Sequence, residues 1–119
     1  MELPHDLVKA GHQVIGVDVK NNEGEDLGCI KEIILEKVEG NVRYIVLECG
    51  SFLGLKGKYF AIPWNSIDYD KDEECFRLDI KKEDFKNAPG FDKDHWPNMA
   101  DTNWGKQVHA YFKSKPYWE

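Results

Sequence analysis

Short apolar segments separated by turn residues are the feature of this sequence that most limits its fold. Between residues 13 and 80, about six runs rich in Val, Ile, Tyr and Phe alternate with Gly- and Asn-bearing turns such as NNEGED and VEGN. Such runs are typical of β-strands joined by hairpins. They predict a mainly β protein, built as a small barrel or sandwich that leaves few strand edges exposed.

The first half of this region predicts three antiparallel strands. The first covers residues 13–20. The second, LGCIKEIILEK at residues 27–37, changes its apolar parity near Glu32, which a β-bulge or burial on both faces would explain. The third, VRYIVLEC at residues 42–49, is apolar on both faces at its centre, as expected for a central strand.

The second half of the region predicts a loop, a strand and a hairpin. The loop at residues 50–57 is rich in glycine, and its glycines are expected to adopt positive φ. Residues 59–64 predict a strand that ends at Pro63, because proline cannot donate to a ladder. Residues 66–80 predict the hairpin. Cys75 falls on its polar side and is expected to be the most accessible thiol.

Acidic residues outnumber basic ones, and the formal net charge is −6. A nucleic-acid-binding face needs clustered Lys and Arg to displace phosphate counterions, so the sequence predicts no nucleic-acid partner. The N-terminus lacks the positive charge and apolar stretch of a signal peptide. No window approaches the length of a membrane span. We therefore expect a cytoplasmic protein without direct membrane insertion.

No pattern in the sequence predicts catalysis or a cofactor. The three cysteines are widely spaced, which favours reduced thiols, and the histidines lack zinc spacing and are expected at the surface or in hydrogen bonds. The stretch DYDKDEECFRLD begins like a calcium loop, but Glu73 stands where that loop requires Gly. GSFLGLKGKYF does not match a P-loop, and no serine lies in a nucleophile elbow. We expect a non-enzymatic protein with no cofactor or metal.

The C-terminal extension, residues 87–119, differs in character from the strand region. Three of the four tryptophans lie here, and four acidic residues balance four lysines. Asp101 is a good N-cap, and the apolar residues after it recur at helical spacing, which predicts a short α-helix near residues 101–112. Gly105 weakens that helix by about 1 kcal/mol relative to Ala. Because a short helix is marginal alone, its apolar stripe must pack on its own barrel or on a partner.

Both alternatives make the apolar side chains of the extension the candidate interaction surface. These residues are Phe91, Trp96, Trp104, Val108, Tyr111, Phe112, Tyr117 and Trp118. Aromatic side chains bury a large area and are enriched at interfaces. We therefore expect the chain to bind a protein partner, and we expect it to form a homodimer.

The segment from VIGVDVK to IPWNSI resembles the PRC-barrel domain. That family is named after the cytoplasmic domain of the photosynthetic reaction centre H subunit and includes the C-terminal domain of a ribosome maturation factor. The matching features are VIG, NNEGEDLG, FLGLKGKYFAIPW and FRLDI. The motif residues are Gly16, Gly24, Gly28, Gly50, Phe52, Leu53, Gly54, Pro63 and Trp64. The extension is similar to the tail of small stand-alone bacterial members.

The resemblance implies a small six-stranded antiparallel PRC-type β-barrel with a C-terminal extension that contains one short α-helix. It divides the chain into an N-terminal lead (1–12), the barrel domain (13–86) and the extension (87–119). The implied function is a non-enzymatic protein–protein docking or adaptor module. The alternative is a reaction-centre-H-like accessory module linked to electron transfer or proton handling. An RNA-processing or ribosome-maturation-type factor is less favoured because of the charge.

Overall fold

The computed structural model describes residues 7–119, and a six-stranded sheet forms the centre of this part. The strands are β1 (Asp18–Lys20), β2 (Asp26–Leu35), β3 (Val42–Cys49), β4 (Tyr59–Pro63), β5 (Ile67–Asp70) and β6 (Cys75–Leu78). The helices are α1 (Ala10–Gln13) and α2 (Thr102–Tyr111), with 3₁₀ helices at Trp64–Ser66 and Lys82–Asn87. The predicted mainly β fold with a helix in the extension is confirmed.

The strand order corrects the expectation of a fully antiparallel barrel. It is β4-β3-β2-β1-β6-β5, and β1 runs parallel to β6, with Val19 beside Phe76. β4 and β5 lie at opposite edges, and within residues 7–119 no ladder joins them. The sheet is therefore a curled half-barrel of mixed direction. The cause is the 3₁₀ turn at Trp64–Ser66, which carries the chain from β4 to β5 without a hairpin.

The N-terminal strand is shorter than predicted, because residues 13–17 are not part of it. Here the chain makes a helical turn, in which the N–H of Ile15 donates to the carbonyl of Ala10 at 2.9 Å. Gly16 then takes a φ of 86° and donates to the carbonyl of Ile30 at 2.7 Å. Because glycine adopts positive φ without steric cost, Gly16 allows the chain to leave the turn and enter β1.

The change of parity in β2 is a β-bulge, as predicted. Ile30 lies opposite Leu47, whereas Glu32 lies opposite Val46, so Lys31 is the extra residue. A bulge inserts one residue on one strand and shifts which side chains face each side. The apolar residues before and after Lys31 therefore lie on the same face of the sheet, although the alternation of apolar residues along the sequence changes at this point.

Gly28 in β2 is required by a close approach of two backbones. A Cβ at this position would lie 2.1 Å from the carbonyl oxygen of Glu48 on β3, and φ is 140°. Because the obstacle is main chain, no side-chain rotation could relieve it. Among the other glycines of the motif, Gly24 and Gly54 also have positive φ, but Gly50 does not, against the expectation for its loop.

The central strand β3 is buried on both faces, as predicted. On one face of β3 and β4, which we call the tyrosine face, the register aligns Tyr44, Val46, Tyr59, Ala61 and Pro63. The opposite face carries Ile45, Leu47, Phe60 and Ile62. All nine side chains are buried. Because both faces of an edge strand such as β4 are covered, other elements must pack on each side of it. As predicted, β4 ends at Pro63, and Trp64 of the motif begins the 3₁₀ turn.

The face opposite the tyrosine face is covered by the 3₁₀ helix at Lys82–Asn87. Its fully buried Phe85 packs edge-on against Phe60, with ring centroids 5.1 Å apart, and against Phe52 at 6.3 Å. Phe52 of the motif therefore belongs to the core margin. The neighbouring Leu53 is half exposed and has a positive φ of 52°.

The hairpin of β5 and β6 is confirmed, and Asp70 organises its turn. One carboxylate oxygen accepts hydrogen bonds from the N–H groups of Asp72 and Glu73, and the other accepts from Arg77. The Glu73 bond above all, then Arg77, lowers the pKa of Asp70. The prediction that Cys75 is the most accessible thiol is wrong. Cys75 is 1% exposed, because both faces of β6 are covered.

Candidate interaction surface

The C-terminal extension first adds to the edge of β4. Tyr59 and Phe91 form an antiparallel bridge with two backbone hydrogen bonds of 2.9 and 2.8 Å. Gly90 crosses the Phe60 ring so closely that a Cβ would lie 2.6 Å from a ring carbon. The bridge pairs backbone groups that an open edge would expose. Phe91 is buried, so it anchors the extension to its own sheet.

Helix α2 begins at the residue that the sequence predicted. The carboxylate of Asp101 accepts a hydrogen bond from the N–H of Asn103 at 2.9 Å, as an N-cap does. The helix packs against β4, and the side chains of Val108 and Phe112 are buried. The apolar stripe predicted for this helix therefore packs within the chain.

Two side-chain hydrogen bonds tie the C-terminal half of α2 to neighbouring elements. The hydroxyl of Tyr111 donates to the carbonyl of Asp84 in the 3₁₀ helix at Lys82–Asn87. Ser66 donates through Oγ to the carbonyl of Phe112 at 3.0 Å. The end of the helix is thus fixed at two points, and both Tyr111 and Phe112 are engaged in intramolecular contacts.

The end of α2 turns the last residues back along the helix. Lys113 takes a left-handed φ of 58°. Its N–H donates to the carbonyl of Ala110 at 3.3 Å, and the N–H of Ser114 donates to the carbonyl of His109 at 2.8 Å. This pattern is a Schellman motif, in which Gly usually occupies the left-handed position. We call residues 113–119 the C-terminal hook.

The hook places Tyr117 and Trp118 against Tyr44 of β3 and His109 of α2. Ring centroids are 6.1 Å apart for Tyr44 and Tyr117, and 5.3 Å apart for His109 and Trp118. Gly105 permits this approach, since a Cβ there would lie 2.7 Å from the Trp118 ring. The residue that weakens α2 as an isolated helix therefore makes room for a tertiary contact.

Tyr44 lies at the centre of this aromatic cluster. Its ring also packs edge-on against Trp104 and His109, each with centroids 5.4 Å away. In the part of the chain that the structure describes, its buried hydroxyl has no hydrogen-bond partner. Burial above all, then Tyr117, raises the pKa of Tyr44 above its ordinary value, whereas Arg43 acts in the opposite direction. Tyr44 therefore supports the cluster as a neutral ring.

A second aromatic cluster lies at the other end of the tyrosine face. Tyr59 contacts both Phe91 and Trp96 with centroids 6.0 Å away, and Phe91 and Trp96 are 5.0 Å apart. The indole Nε1 of Trp96 donates to the carbonyl of Lys93 at 2.7 Å. This bond satisfies the polar atom of the indole, and the rest of the Trp96 ring is apolar surface.

Three large aromatic side chains of the extension remain substantially exposed. Trp96, Tyr117 and Trp118 keep 42%, 40% and 38% of their surface accessible, and we call them the aromatic face. Their supports, Tyr59 and Tyr44, lie on the same face of the sheet. They are four register positions apart, which corresponds to about 13 Å along a strand.

The structure divides the eight residues predicted for the interaction surface. Phe91, Val108 and Phe112 are buried in the chain's own core, and Trp104 and Tyr111 are partly buried. These five follow the alternative in which the extension packs on its own sheet. The three residues of the aromatic face are free to contact a partner in this arrangement, and that role stays a prediction.

Three surface grooves are open and carry both signs of charge. One of about 680 Å³ includes Glu48 and Asp92, one of about 610 Å³ includes Glu74, and one of about 220 Å³ includes Asp84. Each is also lined by at least one lysine. A fourth groove, of about 330 Å³, borders the hook and includes Arg43 but no carboxylate. This last groove differs from the others in its electrostatic character.

Two of the thiols, those of Cys29 and Cys49, have a raised pKa. Burial raises the pKa of Cys49 to about 12, and burial followed by Glu48 raises the pKa of Cys29. Protonated thiols are poor nucleophiles and poor metal ligands. Within residues 7–119, no group of three or more His, Cys, Asp or Glu side chains could hold a metal ion.

Two residues of the site were not found from the sequence. His109 is 2% exposed, and its Nδ1 donates to the carbonyl of Gly105 at 2.7 Å. His109 directly follows Val108, which lies on the inward side of α2. This position in the sequence could have indicated that His109 is buried. The guanidinium of Arg43 lies 4.4 Å from the centroid of the Tyr117 ring, a cation–π contact. Nothing near Arg43 in sequence indicates this contact, because Tyr117 belongs to the distant hook.

Comparisons with known proteins identify the family of this fold. Among solved structures, the chain is similar to a protein described as a 16S ribosomal RNA processing protein, RimM, from Pseudomonas aeruginosa, with 18% identity and a TM-score of 0.43. The match covers 68% of this chain and 50% of that one, so this chain spans about half the length of RimM. None of the curated proteins that were compared matches it. In the described region, no helix has the length and apolar character needed to span a membrane. The PRC-barrel domain model matches residues 7–84, well over half of the sequence, and the chain therefore belongs to the PRC-barrel domain family.

Proposed function

We propose that this chain is a non-enzymatic docking module, that its partner binds the aromatic face, and that its first partner is a second copy of the chain. The observation that carries the proposal is the exposure of Trp96, Tyr117 and Trp118 on an extension whose other Phe, Tyr and Trp side chains are buried or partly buried. Trp and Tyr in such positions commonly supply much of the binding energy of an interface.

The rings of the aromatic face are held in place before any partner arrives. Trp96 is fixed by its Nε1 hydrogen bond, Tyr117 lies beneath the guanidinium of Arg43, and Trp118 rests against Gly105. Side chains that are already ordered lose less conformational entropy on association. This arrangement supports recognition by a preformed surface.

In this proposal the two parts of the chain have separate roles. The PRC-barrel domain, residues 13–86, supplies the rigid tyrosine face, and the extension, residues 87–119, presents the exposed rings. Residues 1–6 of the predicted lead lie outside the described residues. The cytoplasmic location and the lack of a nucleic-acid partner remain predictions.

Sedimentation equilibrium of matched variants tests the homodimer. We expect the wild type to dimerise at micromolar concentration and the double variant Trp96→Ala/Trp118→Ala to be monomeric. Tyr69→Ala is the control, because Tyr69 is a half-exposed aromatic residue on β5, away from the aromatic face. It should leave the dimer intact. A monomeric wild type at high micromolar concentration would exclude self-association.

Affinity capture from the source cell tests the broader docking role. A true partner of the aromatic face should be retained by the wild type and by Tyr69→Ala but lost with Trp96→Ala/Trp118→Ala. A partner retained equally by all three proteins would contradict this surface. Treatment of the captured material with ribonuclease separates a protein partner from RNA, since an RNA-mediated contact would disappear.

A further inference from the structure

The two arginines of this sequence are paired in different ways. Arg77 donates from Nε and Nη2 to Asp70 at 3.1 Å, and from Nη1 to the carbonyl of Asn21 at 2.9 Å. For Arg43, residues 7–119 provide neither a hydrogen-bond acceptor nor an ion-pair partner. Its N–H donors are therefore unused within the described chain.

Arg43 is nevertheless held in position. Its side chain is partly buried, its Nε is fully buried, and its guanidinium lies over the Tyr117 ring. The ring attracts the positive charge but offers no lone pair to the N–H groups. A buried donor without a partner is unfavourable, and Arg43 lines an open groove from which an acceptor can approach its guanidinium.

A groove of about 330 Å³ opens beside Arg43, between the β2–β3 hairpin, the end of β4 and the hook. It is lined by polar side chains but by no carboxylate; its polar members are Asn41, Arg43, Asn65, His109, Ser114 and Tyr117. Each of the three grooves described above contains an Asp or Glu. In a chain of net charge −6, a groove with an arginine and no acid favours an anion.

The neighbouring acid, Glu36, does not line the groove. Glu36 is close enough for Arg43 to contribute to the lowering of its pKa, but the largest cause is the backbone hydrogen bond from Asn41. The carboxylate of Glu36 also accepts the N–H groups of Val38 and Glu39. These bonds direct the carboxylate to the hairpin turn, and within residues 7–119 no ion pair joins it to Arg43.

The geometry points to a carboxylate-binding site in this groove, with Arg43 as the charged ligand and with Asn65 and Ser114 as neutral polar neighbours. A planar guanidinium matches a carboxylate through two parallel N–H···O bonds. The volume lies near the lower end of small-molecule sites, so the carboxylate belongs to a compact group. A small free acid and an acidic peptide side chain both present it. This site goes beyond the docking role; it shares Tyr117 with the aromatic face but includes neither Trp96 nor Trp118.

Titration with sodium acetate, followed by ¹H–¹⁵N NMR against sodium chloride of equal ionic strength, tests the site on the full chain. We expect saturable shifts of the Arg43 Nε–H and of Asn65 that chloride does not produce. Acetyl-aspartate N-methylamide is the second probe. Tighter binding than acetate would identify a peptide side chain as the source, and equal or weaker binding would identify a small acid.

Substitutions separate the site from general charge effects. Arg43→Met should abolish the saturable shifts, whereas Lys37→Met, which removes one positive charge from the same hairpin, should preserve them. Arg43→Lys retains the charge without the paired donors and should bind at least about tenfold more weakly; it decides the question if Arg43→Met does not fold. Shifts that are linear, that persist in Arg43→Lys unchanged, or that inorganic phosphate produces more tightly would overturn the proposal. Trp96→Ala, which changes the aromatic face outside this groove, should bind acetate normally whether or not it dimerises.

Discussion

Lys113 is a residue in a conformation that suits glycine better. A left-handed φ costs a residue with a Cβ about 1–2 kcal/mol, and the Schellman motif at the end of α2 requires it. We therefore expect Lys113→Gly to raise the free energy of unfolding by up to about 1 kcal/mol. Urea denaturation at neutral pH measures the change.

Replacing a lysine by glycine inside α2 should have the opposite effect on the free energy of unfolding. Lys106 is exposed within α2, where Gly is less favourable than other residues by up to about 1 kcal/mol. Lys106→Gly should therefore lower the free energy of unfolding. If both variants lose stability equally, the hook does not leave the helix through a left-handed residue.

Gly105 and Trp118 should be energetically coupled. In an α-helix, Ala is favoured over Gly by about 1 kcal/mol, but a Cβ at position 105 would collide with the Trp118 ring. We expect Gly105→Ala to stabilise the Trp118→Ala protein by about 1 kcal/mol and to give a smaller gain or a loss in the wild type. A double-mutant cycle by urea unfolding measures the coupling. Equal effects in both backgrounds would mean that the hook does not lie on Gly105.

At the scale of elements, the extension should contribute to the stability of the sheet. Phe112, the C-cap residue of α2, is buried. Its ring contacts that of Phe85, with centroids 6.1 Å apart. Removing a buried Phe side chain costs about 3–5 kcal/mol, so we expect Phe112→Ala to lower the free energy of unfolding by that amount. Gln107→Ala, on the exposed side of the same helix, is the control and should change it little. Similar small effects for both would indicate that α2 is not docked.

Elements set by local spacing could be predicted from the sequence. The β-bulge near Glu32, the capped start of α2 at Asp101 and the hairpin around Asp70 all follow from patterns within a few residues. The helical turn at residues 13–17 could not be predicted in the same way. It depends on the hydrogen bond from Gly16 to Ile30, which forms only when β2 is in place.

The candidate surface was predictable in composition but not in orientation. All eight apolar residues belong to the extension, and their types indicated burial in some interface. Which of them face inward depends on the bridge between Tyr59 and Phe91 and on the space at Gly105. Both are contacts between segments far apart in sequence. Periodicity within the extension therefore could not separate Phe112 from Trp118.

At the scale of the whole molecule, stability should fall in alkaline solution. The pKa of Cys49 is about 12 in the folded protein against 9.0 for an ordinary thiol, so the folded state holds this proton more tightly than the unfolded chain. The contribution of Cys49 is complete below about pH 9 and is lost as pH rises toward about 12. Tyr44, whose pKa is also raised, adds a loss in the same direction at higher pH.

Urea unfolding between about pH 8 and about pH 11 measures this loss, which for a single group is at most about 1.4 kcal/mol per pH unit. Cys49→Ala should make the decline shallower near pH 9 and keep the later part due to tyrosine. An unchanged slope in Cys49→Ala would show that this thiol titrates normally in the folded protein.

The parallel pairing of β1 with β6 also determines when the sheet can be completed during synthesis. At the stage when only β1 to β4 have left the ribosome, one side of β1 has no neighbouring strand, because β6 has not yet been made. The segment that bridges the edge of β4 at Phe91 is made later still, followed by α2. Pairings between distant segments slow folding to the millisecond-to-second range. The nascent chain therefore carries incomplete strand edges until the segment around Phe91 has been made, and this segment closes an edge that would otherwise be prone to aggregation.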